Sequence, residues 1–100
     1  MSADEFGFAP PPFKPDEALQ RARRDLRELG LSEREGRFER RGVLIARLAV
    51  DGATLKAAVV KRPSRSSPEW SERTLRDSVG LRDFVADLKK KLASWSDRDD

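Results

Sequence analysis

The side chains able to do chemistry in this 100-residue chain are carboxylates, lysines, arginines, serines and threonines, because it contains no His, no Cys and no Tyr. That removes the commonest proton shuttle at neutral pH, the commonest metal ligand and the thiolate nucleophile. A Cys/His zinc site, a Ser-His-Asp triad, a Cys-His pair and disulfide redox work are excluded within the chain. What is left for catalysis is two carboxylates in contrasting environments, or a lysine with its pKa lowered by burial. Glu33, Glu35 and Glu39 come nearest to a cluster, but Arg34, Arg37, Arg40 and Arg41 surround them as ordinary surface partners. The six glycines are dispersed and no G-x-x-x-x-G-K phosphate loop occurs. The expected function is therefore non-enzymatic, a small binding or accessory module with no cofactor and no metal.

Two sets of residues are candidates for binding. The first is the segment 56–65, which carries Lys56, Lys61, Arg62 and Arg65 with no acid before Glu69. Lysines and arginines that displace counterions from a phosphate backbone bind it in a salt-dependent way, and Ser64, Ser66 and Ser67 add hydroxyl donors. A solvated hairpin end with a polar loop has the same composition. The second set is Val43, Ile45 and Arg47, which strict strand alternation places on one face of the apolar run 43–50. If that face is open it is an apolar patch broken by one charge, suited to a protein partner or a second copy of the chain. Protein contact is the leading reading and phosphate-backbone binding the alternative. With 21 basic and 18 acidic residues the net charge is only +3, so the surface is mixed rather than uniformly basic. Lys89, Lys90 and Lys91 read as a helix C-terminal turn opposing the negative end of the dipole, with Asp87 placed to pair with Lys91.

The elements that position these residues follow from periodicity. Pro15 suits a first helical turn, Asp16 and Glu17 complement the positive end of the dipole, and Ala18, Leu19, Ala22, Leu26 and Leu29 recur at helical spacing. Gly30 supplies a left-handed stop and Leu31 an apolar residue to pack back, so the first helix is expected over 15–29. From Gly36 the period changes to that of strands. The run 43–50, the Asp51-Gly52 dipeptide and the run 54–61 make a hairpin, and 37–41 supplies a further strand. Pro63 to Pro68 is a loop by composition. The segment 70–77 fits either a short helix or an edge strand. Leu81, Phe84, Val85, Leu88, Leu92 and Trp95 form a second helical stripe, beginning at Ser78 or Gly80 and ending at Trp95.

The order is α-β-β-β-α, which implies an α+β fold: a three-stranded antiparallel sheet packed on one face by two helices. The double-stranded RNA-binding domain has the same element order, but its lysine-rich motif at the start of the last helix is absent here, so no resemblance is drawn. Residues 13–95 are expected to form one domain. Residues 1–12 are expected to be a flexible Pro- and Phe-rich tail whose rings either cover the sheet or stay free, with Phe13 able to pack down. Residues 96–100 are expected to be a flexible acidic tail. No apolar run approaches the roughly 18 residues of a membrane span. With no secretory pattern at the N-terminus, a cytoplasmic location without membrane contact is the expectation.

Overall fold

A computed structural model describes residues 13–98. The expected phenylalanine tail, with Phe6 and Phe8, lies outside the described residues. Helix α1 (Pro15–Glu28) starts on its proline, with Asp16 and Glu17 in the first turn. It ends where the sequence places the stop. Gly30 adopts φ +92°, its N–H donates to the Arg27 carbonyl at 3.0 Å, and the Leu31 N–H reaches back to the Leu26 carbonyl at 3.2 Å. These two bonds satisfy carbonyls the helix end would leave unpaired and turn the chain so that Leu31 is buried.

The sheet has five antiparallel strands rather than three, in the order β1 (Ser32–Arg34), β2 (Arg37–Arg40), β3 (Val43–Asp51), β4 (Thr54–Val60) and β5 (Trp70–Leu75). Two strands are therefore additional to the sequence reading. The short β1 is created by a two-residue turn in which Glu35 and Gly36 both have positive φ, +52° and +82°. The β2–β3 connection repeats the device with Arg41 at +55° and Gly42 at +79°. A pair of positive φ angles matches the right-handed twist of the strands it joins. The β5 segment resolves the 70–77 ambiguity as an edge strand.

Strict alternation along β3 does not hold. Phe38 pairs with Ala46 but Glu39 pairs with Leu44, so Ile45 is an extra residue in the ladder, a β-bulge that reverses the facing of what precedes it. Ala46 and Leu48 are buried as alternation requires, whereas Val50 beside the turn is 38% exposed. Val43 packs against the core. Ile45, expected to look outward, is 1% exposed.

Helix α2 (Ser78–Arg98) begins at the first of the two expected positions and runs past the expected end at Trp95 to include 96–98. Its start is fixed by Asp77, whose carboxylate accepts the Gly80 N–H at 2.7 Å. Leu81, Phe84, Leu88, Leu92 and Trp95 are all buried. The two helices touch each other, α1 touches β1, β3 and β4, and α2 touches β5. They therefore share one side of the sheet, over Phe38, Ala46, Leu48, Leu55, Ala57, Val59 and Leu75. Small Ala18 and Ala22 on α1 allow close approach, and Phe13 packs against the rim of this core.

The hairpin β1–β2 is locked against β3 at Gly36. The Leu48 N–H donates to the Gly36 carbonyl at 2.9 Å, and a methyl group on Gly36 would lie 2.7 Å from the Leu48 carbonyl oxygen. Gly42 has nearly the same φ but open space around it. In urea denaturation, Gly42→Ala is expected to lose about 1 kcal/mol from left-handed backbone strain alone. Gly36→Ala is expected to lose at least twice that. Equal losses would show that the hairpin is free to lift from β3.

Candidate functional surface

With both helices on one side, the other side of the sheet is the principal open surface. Reading directly across the strands, Arg34 faces Arg37, Arg37 faces Arg47, Arg47 faces Ala58, and Ala58 faces Glu72. Three guanidinium side chains thus stand side by side on neighbouring strands, spaced roughly 5 Å apart at the backbone. Only Arg47 has a partner. It lies 3.9 Å from the Glu72 carboxylate and its guanidinium sits 4.1 Å from the centroid of the Trp70 ring. Arg34 and Arg37 make no ion pair or hydrogen bond among the described residues.

In the neighbouring row Ala49 faces Lys56, and Lys56 faces Thr74. The Lys56 ammonium donates to the Thr74 hydroxyl at 3.0 Å and lies 4.0 Å from Asp51. Small side chains at Ala49 and Ala58 leave a groove between these rows. It is an open concavity of about 620 Å³, lined by Gly36, Arg37, Arg47, Ala49, Lys56 and Ala58 among others.

The row is held in place from the far side of the sheet. Glu33, on β1 but facing the helices, accepts the Arg23 guanidinium at 2.8 and 3.0 Å from α1 and the Gly36 N–H at 3.0 Å. One carboxylate therefore ties the β1–β2 turn to the first helix, which fixes how Arg34 and Arg37 stand next to β3. The Gly36 N–H, followed by the Arg23 guanidinium, holds the Glu33 carboxyl below the usual glutamate range, against the opposing effect of its partial burial. On the inner side of β5, Arg73 pairs with Asp87 at 2.9 Å and lies over Phe84. Asp87 thus bonds Arg73 rather than the expected Lys91, and this bond lowers its pKa.

The structure separates the residues that the sequence groups together. Of the protein-contact candidates, Arg47 stands on the open face, Val43 is half-buried against the core, and Ile45 is interior because of the bulge. The expected apolar outer patch is therefore a charged mosaic with an alanine floor. Of the phosphate candidates, Lys56 belongs to that mosaic. Lys61, Arg62 and Arg65 lie beyond the end of β4, with Arg65 in the β4–β5 loop. Five residues of extended chain, roughly 16 Å, separate Lys56 from Lys61. Arg34 and Arg37, expected as surface partners of Glu33, Glu35 and Glu39, do not pair with Glu33, which bonds Arg23 instead; their proximity to Arg47, and that of Trp70, arises only once the strands are paired.

The described residues define an α+β protein with an antiparallel five-stranded meander covered on one side. Comparison with protein-family models, curated proteins and solved structures finds no match. Among the described residues no three carboxylates gather so as to hold a metal ion, and no helix is long and apolar enough to cross a membrane.

Because folding lowers the Glu33 pKa, the unfolded chain binds more protons in the window between the two values, and stability rises with pH there. The contribution is fully present above the unfolded value of about 4.3 and is lost as pH falls through the folded value. Glu33→Gln is expected to be less stable than the parent at pH 7, with the gap narrowing as the pH is taken from about 4.5 downward. A gap independent of pH would mean that the carboxylate charge does not hold the hairpin.

Proposed function

We propose that the protein is a non-catalytic binding module that presents the open face of its sheet to an acidic surface on a protein partner. The observation that carries this reading is the row Arg34, Arg37 and Arg47. Like charges directly opposite one another on adjacent strands destabilise a sheet by a few tenths to about 1 kcal/mol per pair. Two such pairs side by side are a standing cost to the fold that carboxylates from a partner would offset.

The rest of the face favours a protein over a continuous polyanion. Glu72 and Asp51 are interspersed with the cations, so a phosphate backbone laid along the groove would meet like charge, whereas a protein surface can present the complementary mosaic. Arginine and tryptophan, stacked here as Arg47 on Trp70, are also both among the residue types enriched at interface hot spots. Self-association is the version of this reading in which the partner is a second copy.

The test combines stability with binding. Arg37→Thr is expected to raise the stability of the free protein by a few tenths of a kcal/mol, because it removes both like-charge contacts of the row. In a chemical-shift titration with a hexaglutamate peptide, the amides of Arg34, Arg37, Arg47 and Ala58 are expected to move, and the same variant to weaken the response. A solution mass of twice the monomer, reverting to monomer in Arg37→Thr, would identify the partner as a second copy. A destabilised Arg37→Thr, or peptide-induced shifts that avoid the sheet face, would overturn the proposal.

A further inference from the structure

A second concavity lies at the end of the sheet, between the β2–β3 turn and the β4–β5 loop. It has a volume of about 360 Å³, and Arg40, Arg41 and Arg65 line it together with Ser64, Pro63 and Val43. No carboxylate lines it among the described residues, in contrast to the mixed charge of the sheet face. The three arginines come from two segments more than twenty residues apart in sequence, and the fold alone brings them to one hollow.

Parts of both walls are held in place by hydrogen bonds. Arg40 donates from Nη1 to the Leu92 carbonyl of α2 at 3.3 Å, which directs its guanidinium along the end of the sheet. Arg41 occupies a turn position at φ +55° that sets where its side chain leaves the backbone. In the loop, the Ser64 hydroxyl oxygen accepts the N–H groups of Ser66 and Ser67 at 3.3 and 3.1 Å. That leaves the Ser64 O–H itself as a donor. The loop is closed at its base by the Lys61 N–H bonded to the Glu69 carbonyl at 2.8 Å.

Planar guanidiniums match the geometry of phosphate oxygens and bind them with charge-assisted hydrogen bonds. Half-buried Val43 and Pro63 give the same hollow an apolar wall beside its cations. A hollow with an apolar wall beside a few placed cations suits a ligand that carries an anionic group next to a less polar body, such as a phosphate next to a flat ring. We propose that this cleft binds the phosphate of a nucleotide unit, with Arg41 and Arg65 as its principal contacts, Ser64 as a hydroxyl donor and the ring against Val43 and Pro63. The source is either a free nucleotide or one unit of a single strand. This site is independent of the proposed protein contact on the sheet face.

The experiment is a chemical-shift and anisotropy titration of the full chain with three probes: thymidine monophosphate, a ten-nucleotide oligothymidylate and inorganic phosphate. The amides of Gly42, Ser64 and Arg65 are expected to shift with the nucleotide probes. Arg41→Glu with Arg65→Glu is expected to weaken binding at least about tenfold, since each removes a charge-assisted contact. Arg34→Glu with Arg37→Glu should leave it unchanged, so that loss of this site and loss of the sheet-face contact are read separately. Arg65→Glu alone, in an exposed loop, serves as a second variant should the double one fold poorly, and is expected to weaken binding by a smaller factor.

Binding of the monophosphate as tightly as one site of the oligomer identifies a free nucleotide as the source. Binding of the oligomer alone, with affinity falling linearly in log salt, identifies a strand. The proposal is overturned if inorganic phosphate binds as well as either nucleotide probe. It is equally overturned if hexaglutamate competes as well as they do, if both double variants weaken binding alike, or if the shifts avoid the cleft.

Discussion

A sheet has two faces, and this chain has large apolar side chains enough to cover one. That constraint governs everything else in the molecule. Both amphipathic helices must share a side, so α1 presents Ala18 and Ala22 where a larger residue would hold it away from the sheet, and α2 supplies bulk through Phe84, Leu88 and Leu92. The largest fully buried side chains, Phe38 and Phe84, lie on a strand and a helix respectively, so the core is keyed from both layers. In a core this small, truncating either ring would remove roughly 3–5 kcal/mol from a stability that for such domains is only about 5–15 kcal/mol. The other face, left without a layer to bury it, carries alanines and charges, of which Arg47 and Lys56 are paired and, among the described residues, Arg34 and Arg37 are not.

Much of this was legible in the sequence, and the reasons are particular. The first helix has a proline at its start, a glycine just past its end and an apolar residue beyond, three independent signals that agree within one residue. The β3–β4 hairpin is marked by Gly52 between two β-rich runs, and the second helix by an uninterrupted 3–4–4–3 apolar spacing. The strand absent from the sequence reading, β1, and the one it leaves open, β5, share a cause. Strand β1 is the tripeptide Ser-Glu-Arg, which has no apolar residue to show a period, and its turn places a glutamate at positive φ where Asn or Gly is the recognisable choice. In β5 the inward positions are Ser71, Arg73 and Leu75, so only one of three is apolar. Arg73 is tolerated there because it lies over Phe84 and pairs with Asp87 at the rim of the helix layer.

The binding candidates were less legible than the fold because charge clusters in sequence are not charge clusters in space. The segment 56–65 spans the middle of one strand, its end and a loop, and the fold sends Lys56 to one surface and Arg65 to another. Conversely, Arg47 lies ten residues beyond Arg37 in sequence and joins Arg34 and Arg37 only through strand pairing. The bulge at Ile45 has the largest effect. One unpaired residue turns Val43 toward the core and takes Ile45 out of solvent, and no local propensity announces it. Strand alternation is therefore a reliable guide to burial only between irregularities, here from Ala46 to Ala49.

The two cationic surfaces differ in a way that bears on what each is suited to hold. On the sheet face Arg47 has Glu72 at 3.9 Å and Lys56 has Asp51 at 4.0 Å, so around them the field alternates over distances shorter than the roughly 8 Å screening length of physiological salt. Such a field discriminates by pattern and has little reach. At the end of the sheet Arg41 and Arg65 line one hollow with no carboxylate in its wall among the described residues, so their fields add there. A surface of the first kind favours a partner with matching geometry, and one of the second kind favours a compact, highly charged group whatever it is attached to. Both are set by the same structural choice. Two-residue turns with positive φ place Glu35 and Gly36 against β3 and Arg41 and Gly42 at the cleft, so the local backbone strain of the meander falls where its charges are displayed.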